Sequence, residues 1–213
     1  MRLLKACRHR TTAWKNGGGE TREILVSPSG AAFDSFDWRV SIARVDGDGP
    51  FSSFPGIDRT LTMLSGGAMT LDDGIKPVRL TPDAPPHGFD GATSIVARIE
   101  GGPVTDLNVM TRRGRLRHEV RRQHIDEQSG NWRGRDVAHP LKAGRGERLV
   151  VVIGGDVAIR ATPFDGALSL HDAVLLAPDE TAIFIARRAE LLVIDILPGS
   201  CKPRHGAQYP AAL

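Results

Sequence analysis

The chain is poor in the residues that would place it in the simplest structural classes. Only two cysteines, Cys7 and Cys201, occur in 213 residues, too few for a disulfide scaffold. They read as two reduced thiols of a cytosolic protein, with a bridge joining the termini as the alternative. Aromatic residues make up 5% of the chain, and no apolar run exceeds the five residues Leu149–Ile153, against the ~18 that a membrane span needs. Met1–Arg10 carries Arg2, Lys5, Arg8 and Arg10 with no apolar stretch behind them. No membrane segment and no signal peptide are expected, and a cytoplasmic location is. Helical periodicity is also missing: no segment reads as a helix of more than two turns. Glycine (24) and proline (14), by contrast, are plentiful, the composition of a chain built from short strands and turns. With 40% hydrophobic and 25% charged residues it has the ordinary makeup of a globule with a real core, which excludes wholesale disorder.

The formal charge of +3 is unevenly placed. Between Arg112 and Arg135 eight arginines face three acids, a local +5, so the remaining chain is net acidic. The run Arg112–Arg122 could grip phosphates, but it holds no aromatic for base stacking and no recognised nucleic-acid motif surrounds it. Leu116, His118 and Val120 alternate with Arg115, Arg117, Glu119 and Arg121, which predicts an edge strand with one solvated face. Basic residues on such an edge discourage pairing between molecules.

Alternation with a period of two recurs along the chain. Phe36–Val45 sets Trp38, Val40 and Ile42 against Arg39, Ser41 and Ala43. Further short runs lie at 60–64, 68–71, 93–99, 104–110, 149–153, 157–159, 173–176, 181–186 and 191–196, with glycine, proline or aspartate in nearly every gap. Many short strands at about ten-residue spacing predict an all-β sandwich or barrel. An internal repeat sharpens this. Arg59–Leu71 matches Glu147–Ile159 at a constant offset of 88 residues, each copy an apolar strand, a Gly-Gly turn and an alternating return strand. The expected architecture is therefore two tandem double-sheet barrels: an N-terminal half over 1–122, a connecting segment over 123–144 and a C-terminal half over 145–213, with the N-terminal strand free to pair with the latter.

The hairpin resembles the first motif of the cupins, in which glycine, His-x-His, glutamate and a second glycine follow at fixed spacing. Gly47, Ser53-Phe54-Pro55, Arg59 and Gly66 keep that spacing but not the ligands. In the second copy Glu147 and Gly154 survive, while Pro140 and Lys142 replace the histidines. A guanidinium in a ligand slot repels a divalent cation, so no metal and no cofactor are expected. Arg59 shares parity with Leu61 and Met63 and points toward a barrel interior. Arg39 stands beside the small residues Ser41 and Ala43, which leaves room for a guest. A solvated Arg39 over a core of Trp38, Val40 and Ile42 explains the same strand equally well. Asp106, Asn108 and Met110 form a third such face. A buried guanidinium demands an acceptor, either intramolecular, such as Asp58 or Asp106, or a carboxylate ligand held bidentately. In Trp14–Glu23, three consecutive glycines read as a turn or as a close backbone approach; the sequence is no phosphate loop.

Four linked segments then carry a specific resemblance: Trp14-x-Asn16-Gly-Gly-Gly-x-Thr21-Arg-Glu23, Phe36-Asp-Trp38-Arg39-Val-Ser41-x-Ala43, Gly49-Pro-Phe-Ser52-x-Phe-Pro55-Gly56-x-Asp58-Arg59, and Asp106-Leu-Asn108-Val-Met110-x-Arg112-Arg113-Gly114. In order and spacing they resemble the HutD/Ves family. The resemblance implies a bicupin fold, a bacterial cytoplasmic protein and a link to histidine utilisation or to stress response. It also carries over Asn16, Thr21, Arg39, Ser41, Ser52, Arg59 and Asn108 as family motif positions. The resulting expectation is a metal-independent binder of a small anionic metabolite with a regulatory role in amino-acid utilisation. N-formyl-L-glutamate or a neighbouring histidine-pathway intermediate is the ligand this expectation names. One alternative is a cupin enzyme (isomerase, decarboxylase or hydrolase-like) acting on a small carboxylate, with Asp106, Glu23 or His87 as the titrating group. The other is an interaction protein working through residues 112–135. A monomer or dimer is expected, because the two halves already pair.

Overall fold

β-branched and aliphatic residues recurring at every second position, broken by glycine, proline and aspartate, form strands and turns rather than helices. The computed structural model describes residues 1–125, 136–161 and 164–199. Nineteen strands lie among the described residues: β1 (Arg2–Leu4), β2 (Arg10–Ala13), β3 (Gly19–Ser27), β4 (Trp38–Val45), β5 (Gly49–Pro50), β6 (Ile57–Ser65), β7 (Ala68–Asp72), β8 (Val78–Leu80), β9 (His87–Asp90), β10 (Val96–Glu100), β11 (Val104–Arg112), β12 (Leu116–Ile125), β13 (Val137–Lys142), β14 (Glu147–Gly155), β15 (Val157–Ala161), β16 (Phe164–Leu168), β17 (Ala173–Leu176), β18 (Thr181–Ala186) and β19 (Ala189–Pro198). The one helical element among the described residues is a 3₁₀ turn at Ala6–Arg8. Every run expected from alternation overlaps a strand.

The strands form four antiparallel sheets in two barrels. In the first barrel a six-stranded sheet, β2-β3-β4-β11-β6-β9, faces the four-stranded sheet β5-β10-β7-β8; in the second, β1-β17-β14-β19-β12 faces β13-β18-β15-β16. The 88-residue repeat is visible in the backbone. A Cβ on Gly67 would stand 2.0 Å from the Glu100 carbonyl oxygen, and one on Gly155 would stand 2.2 Å from that of Arg188. Residues 67 and 155, and likewise 100 and 188, are related by the same offset. No side chain fits at either turn.

Both ends of the first 122 residues contribute to the second barrel, since β1 pairs with β17 and β12 pairs with β19. β12 and β13 occupy part of the stretch expected as the connection, and 126–135 lies outside the described residues. Arg133, Arg135 and Cys201 lie outside them too; Cys7 is exposed.

Three of the four apolar clusters among the described residues form the main layers of the molecule. The second barrel is filled by a continuous cluster that includes Val150, Val152, Val157, Ile159, Phe184, Leu191 and Val193, all 3% exposed or less. A second layer lies between the barrels. Trp38, Val40, Ile42, Leu107 and Val109 of the six-stranded sheet pack on Leu149, Val151, Leu192 and Ile194 of the five-stranded one. The third fills one side of the first barrel with residues such as Met63, Met69, Leu71 and Ala97. The Arg39 face of β4 is therefore turned inward while its Trp38 face is also buried, against the other barrel.

β12 is an edge strand, with Leu116 and Val120 packed on the layer between the barrels. His118 shares their face and spans the seam: Nδ1 lies 2.7 Å from Thr111 Oγ1 and Nε2 2.8 Å from Thr60 Oγ1. Burial pushes its pKa down to about 4 from 6.5, against a weaker upward pull from Asp58. Unfolding therefore takes up a proton between these values. Stability present above pH ~6.5 is expected to fall as pH drops toward 4, by up to about 3 kcal/mol from this residue. Urea midpoints across that range check this: His118→Gln should remove part of the acid-side slope, and an unchanged slope would contradict the assignment.

The arginines flanking and within β12 have acceptors inside the protein. Arg112 donates to the Phe36 and Asp34 carbonyls, Arg113 contacts Asp58 and Asp90, and Arg115 meets Asp37 at 2.8 Å. Arg117 pairs with Glu119, Arg121 with Asp195, and Arg122 with Glu190 and the Met63 carbonyl.

Candidate functional site

Register across the six-stranded sheet assembles the site in three rows. Thr21, Ala43, Asp106 and Met63 stand side by side; Glu23, Ser41, Asn108 and Leu61 form the next row; Val26, Arg39, Met110, Arg59 and Phe89 form the third. Because Ser41 and Ala43 are small, the inner face recedes there, and a cavity of about 730 Å³ opens in the first barrel. All seven residues singled out from the sequence, Asn16, Thr21, Arg39, Ser41, Ser52, Arg59 and Asn108, line it, together with Glu23 and Asp106.

The two arginines differ. Arg39, 8% exposed, is neutralised locally: its Nε donates to Glu23 Oε2 at 2.8 Å and its guanidinium lies 4.8 Å from the Phe33 ring. Arg59, 6% exposed, donates to neutral acceptors, the Ser52 carbonyl at 3.1 Å and Asn108 Oδ1 at 2.7 Å, while its buried Nε has no protein partner. Phe51, Phe54 and Phe89 surround it with ring centroids 5.0–5.4 Å away. Burial lowers the Arg59 pKa to about 10, with Asp106 pulling it up and Arg39 pushing it further down. It remains a cation at neutral pH, and no described residue gives it a directly bonded counter-charge. Asp58, weighed from the sequence as its partner, instead binds Arg113.

The other polar groups have defined tasks. Asn16 accepts from the Gly18 amide at 3.1 Å, and Thr21 Oγ1 accepts from Trp14 Nε1 at 2.8 Å. The glycine run is thus the β2–β3 hairpin turn; at Gly19 a Cβ would stand 2.1 Å from the Arg44 carbonyl oxygen, so β3 approaches β4 closely there. Asp106, 1% exposed, accepts from Asn108 Nδ2 at 2.5 Å through Oδ1, and its Oδ2 has no protein partner. Burial raises this carboxyl to about 7 despite the Arg59 charge. Of the three titrating groups named from the sequence, Asp106 and Glu23 line the cavity; His87 lies at the sheet's far edge, stacked on Phe89, and is not part of the lining.

A cupin metal does not fit these donors. Buried Arg59 stands where the motif's glutamate would be, Ser53 and Pro55 replace the histidines, and no described histidine lines the cavity. Among the described residues no group of three or more His, Cys, Asp or Glu could hold a metal ion. The aromatic surround of Arg59 is what sequence reasoning missed. Phe51 and Phe54 were visible in the third motif, but Phe89 comes from β9, a four-residue strand with little apolar pattern.

The family profile described as HutD matches residues 6–193. Protein Ves of Citrobacter koseri is 41% identical over 109 residues, and an uncharacterized 21.2 kDa protein in the hutC 3′ region of Pseudomonas putida is 36% identical over 110. These matches cover 51% and 52% of this chain and 56% and 57% of the relatives, so the chain spans little more than half the length of either. Likeness in three dimensions is broader. A conserved protein of unknown function from Pseudomonas aeruginosa PAO1 superposes with TM-score 0.77 at 25% identity, over 92% of this chain and 97% of that one. HutD from Pseudomonas fluorescens SBW25 does so with TM-score 0.68 at 27% identity, over 92% and 98%. The Escherichia coli pirin solved with nickel(II), at 12% identity and TM-score 0.65 over 93% and 99%, shares the fold alone. No helix among the described residues is long and apolar enough to cross a membrane. With its profile matched over residues 6–193 and its fold shared nearly end to end, this chain, a cupin-type protein with two barrels, belongs to the HutD family, which is associated with the histidine-utilisation locus.

Proposed function

We propose that the first barrel binds a small anionic metabolite by its carboxylate, without a metal, and that this binding serves a regulatory role in histidine utilisation. One observation carries the reading: Arg59 is a buried cation on the wall of a cavity of about 730 Å³, hydrogen-bonded among the described residues to neutral acceptors alone. A buried charge lacking a counter-ion costs several kcal/mol, and a carboxylate is the partner whose geometry a guanidinium fits best. Arg10, Lys15 and Arg39 add positive charge to the lining, against Glu23, Asp48 and the partly ionised Asp106. Ser41, Asn16 and Thr21 supply neutral hydrogen bonds, and Phe33, Phe51 and Phe54 an apolar wall. N-formyl-L-glutamate suits this chemistry, with one carboxylate on Arg59 and the remaining polar groups spread toward Arg39 and Asn16. The P. putida relative's position beside hutC supports the metabolic setting.

The test is thermal melting against a panel of histidine-pathway carboxylates, each with and without EDTA. At a hundred times its dissociation constant a ligand adds ~2.7 kcal/mol, a shift of roughly 5–11 °C for a chain of this size. The expected result is a shift from one carboxylate that EDTA leaves unchanged. A shift abolished by EDTA, or no shift from any member, would contradict the reading.

A further inference from the structure

We propose that Asp106 couples anion capture at Arg59 to the uptake of a proton; the inference rests on the carboxylate site proposed above and adds its regulation by pH. The geometry is a short relay on one sheet face. Asp106 Oδ1 accepts from Asn108 Nδ2 at 2.5 Å, and Asn108 Oδ1 accepts from Arg59 at 2.7 Å, so a single amide joins the carboxyl to the guanidinium. Rotating or replacing that amide disturbs both contacts. Asp106 Oδ2 is buried with no partner, which disfavours a full negative charge there.

The charged groups around Asp106 can be counted by element. On β6 its neighbour in register is Met63, and Arg59 lies two rows away; on β4 its neighbour is Ala43, with Arg39 two rows away; on β3 the facing acid is Glu23, already bound to Arg39. From the opposite sheet Ala97 lines the cavity. Arg10, Lys15 and Asp48 complete the charged lining. Of the two acids on this sheet face, Glu23 is tied to Arg39 in an ion pair, whereas the charge of Asp106 can change without breaking one. Ionised, it offsets Arg59 from within and repels an incoming carboxylate across the same floor. Protonated, it leaves Arg59 as an uncompensated cation that a ligand anion can satisfy. Ligand and proton therefore favour one another, with equal coupling in both directions.

The probe is formate, which stays ionised between pH 5.5 and 8.5. Its dissociation constant is read from protein fluorescence at constant ionic strength. With the Asp106 carboxyl titrating at about 7, wild-type affinity should fall about 30-fold between these pH values, approaching tenfold per unit at the alkaline end. Asp106→Asn keeps an acceptor for Asn108 and cannot ionise, so its affinity should be flat across the range. Calorimetry on the wild type at pH 7, in phosphate and in Tris, should show uptake of about half a proton per formate bound; this reading stands even if the variant fails to fold. A flat wild-type profile, an unchanged slope in Asp106→Asn or no proton uptake would overturn the coupling and leave the carboxylate site intact. No formate binding at either pH would overturn both.

Discussion

Arg59→Met is expected to lose carboxylate binding by at least 100-fold at pH 6 while melting no lower than the wild type. The two halves of this expectation have separate causes. A charge-assisted hydrogen bond contributes about 1.5–3 kcal/mol, so removing the guanidinium that would make two of them exceeds the ~2.7 kcal/mol of a hundredfold change. Stability behaves differently because Arg59 is costly to bury: its Nε is unpartnered and burial already lowers its pKa to about 10. Methionine would place a thioether among Phe51, Phe54 and Phe89, a favourable contact for sulfur. At pH 6 Asp106 is mostly protonated and does not become a stranded anion. A site residue kept at the expense of stability is the pattern expected of function rather than folding. Calorimetric titration and a melting curve on one sample decide it. A variant that still binds, or that unfolds for want of the cation, would contradict the account.

Phe184→Ala in the second barrel should have the opposite profile. Phe184 is fully buried on β18 and packs in the cluster that fills that barrel. Truncating such a ring removes its transfer energy and leaves a cavity, a loss of about 3–5 kcal/mol. For a chain this size the melting temperature should fall by roughly 6–20 °C. The folded fraction should bind carboxylate as before, since the first barrel keeps its own apolar cluster and its own cavity. Urea denaturation with a parallel ligand titration checks both. A small stability change, or lost binding in folded protein, would mean that the second barrel does more than support the first.

The two barrels differ in what their shared hairpin carries. Arg59 on β6 aligns in sequence with Glu147 on β14, but β14 gives the second barrel's apolar filling Val150 and Val152, and Arg148 on that same face is held by Asp195. The same architecture is thus a packed support in one copy and a polar cavity in the other, a division set by a few inward-facing positions.

Strands were legible because their signal is local: alternation and turn residues lie within ten positions of one another, and the repeat at 88 residues compares two such local patterns. The ambiguity at β4 was not local. Trp38, Val40 and Ile42 are apolar because a second sheet covers them, while Arg39, Ser41 and Ala43 are inward because the first barrel closes over them. No single strand reveals that both faces are covered. The same limit applies to β12, whose alternation was visible but whose partner, β19, lies some 70 residues on in sequence. Within the site, Arg59 stood out by parity and by its place in a degenerate ligand pattern. The Arg39–Glu23 pair depends on register across β3 and β4, with a bulge between Glu23 and Leu25 that spacing along one strand does not reveal.

A structure determined with the strongest carboxylate of the panel bound tests the central claim most directly. The account predicts one ligand per chain in the first barrel, its carboxylate on the Arg59 guanidinium and no metal between them. A ligand seated in the second barrel, on the arginines of β12, or on a metal ion would contradict it.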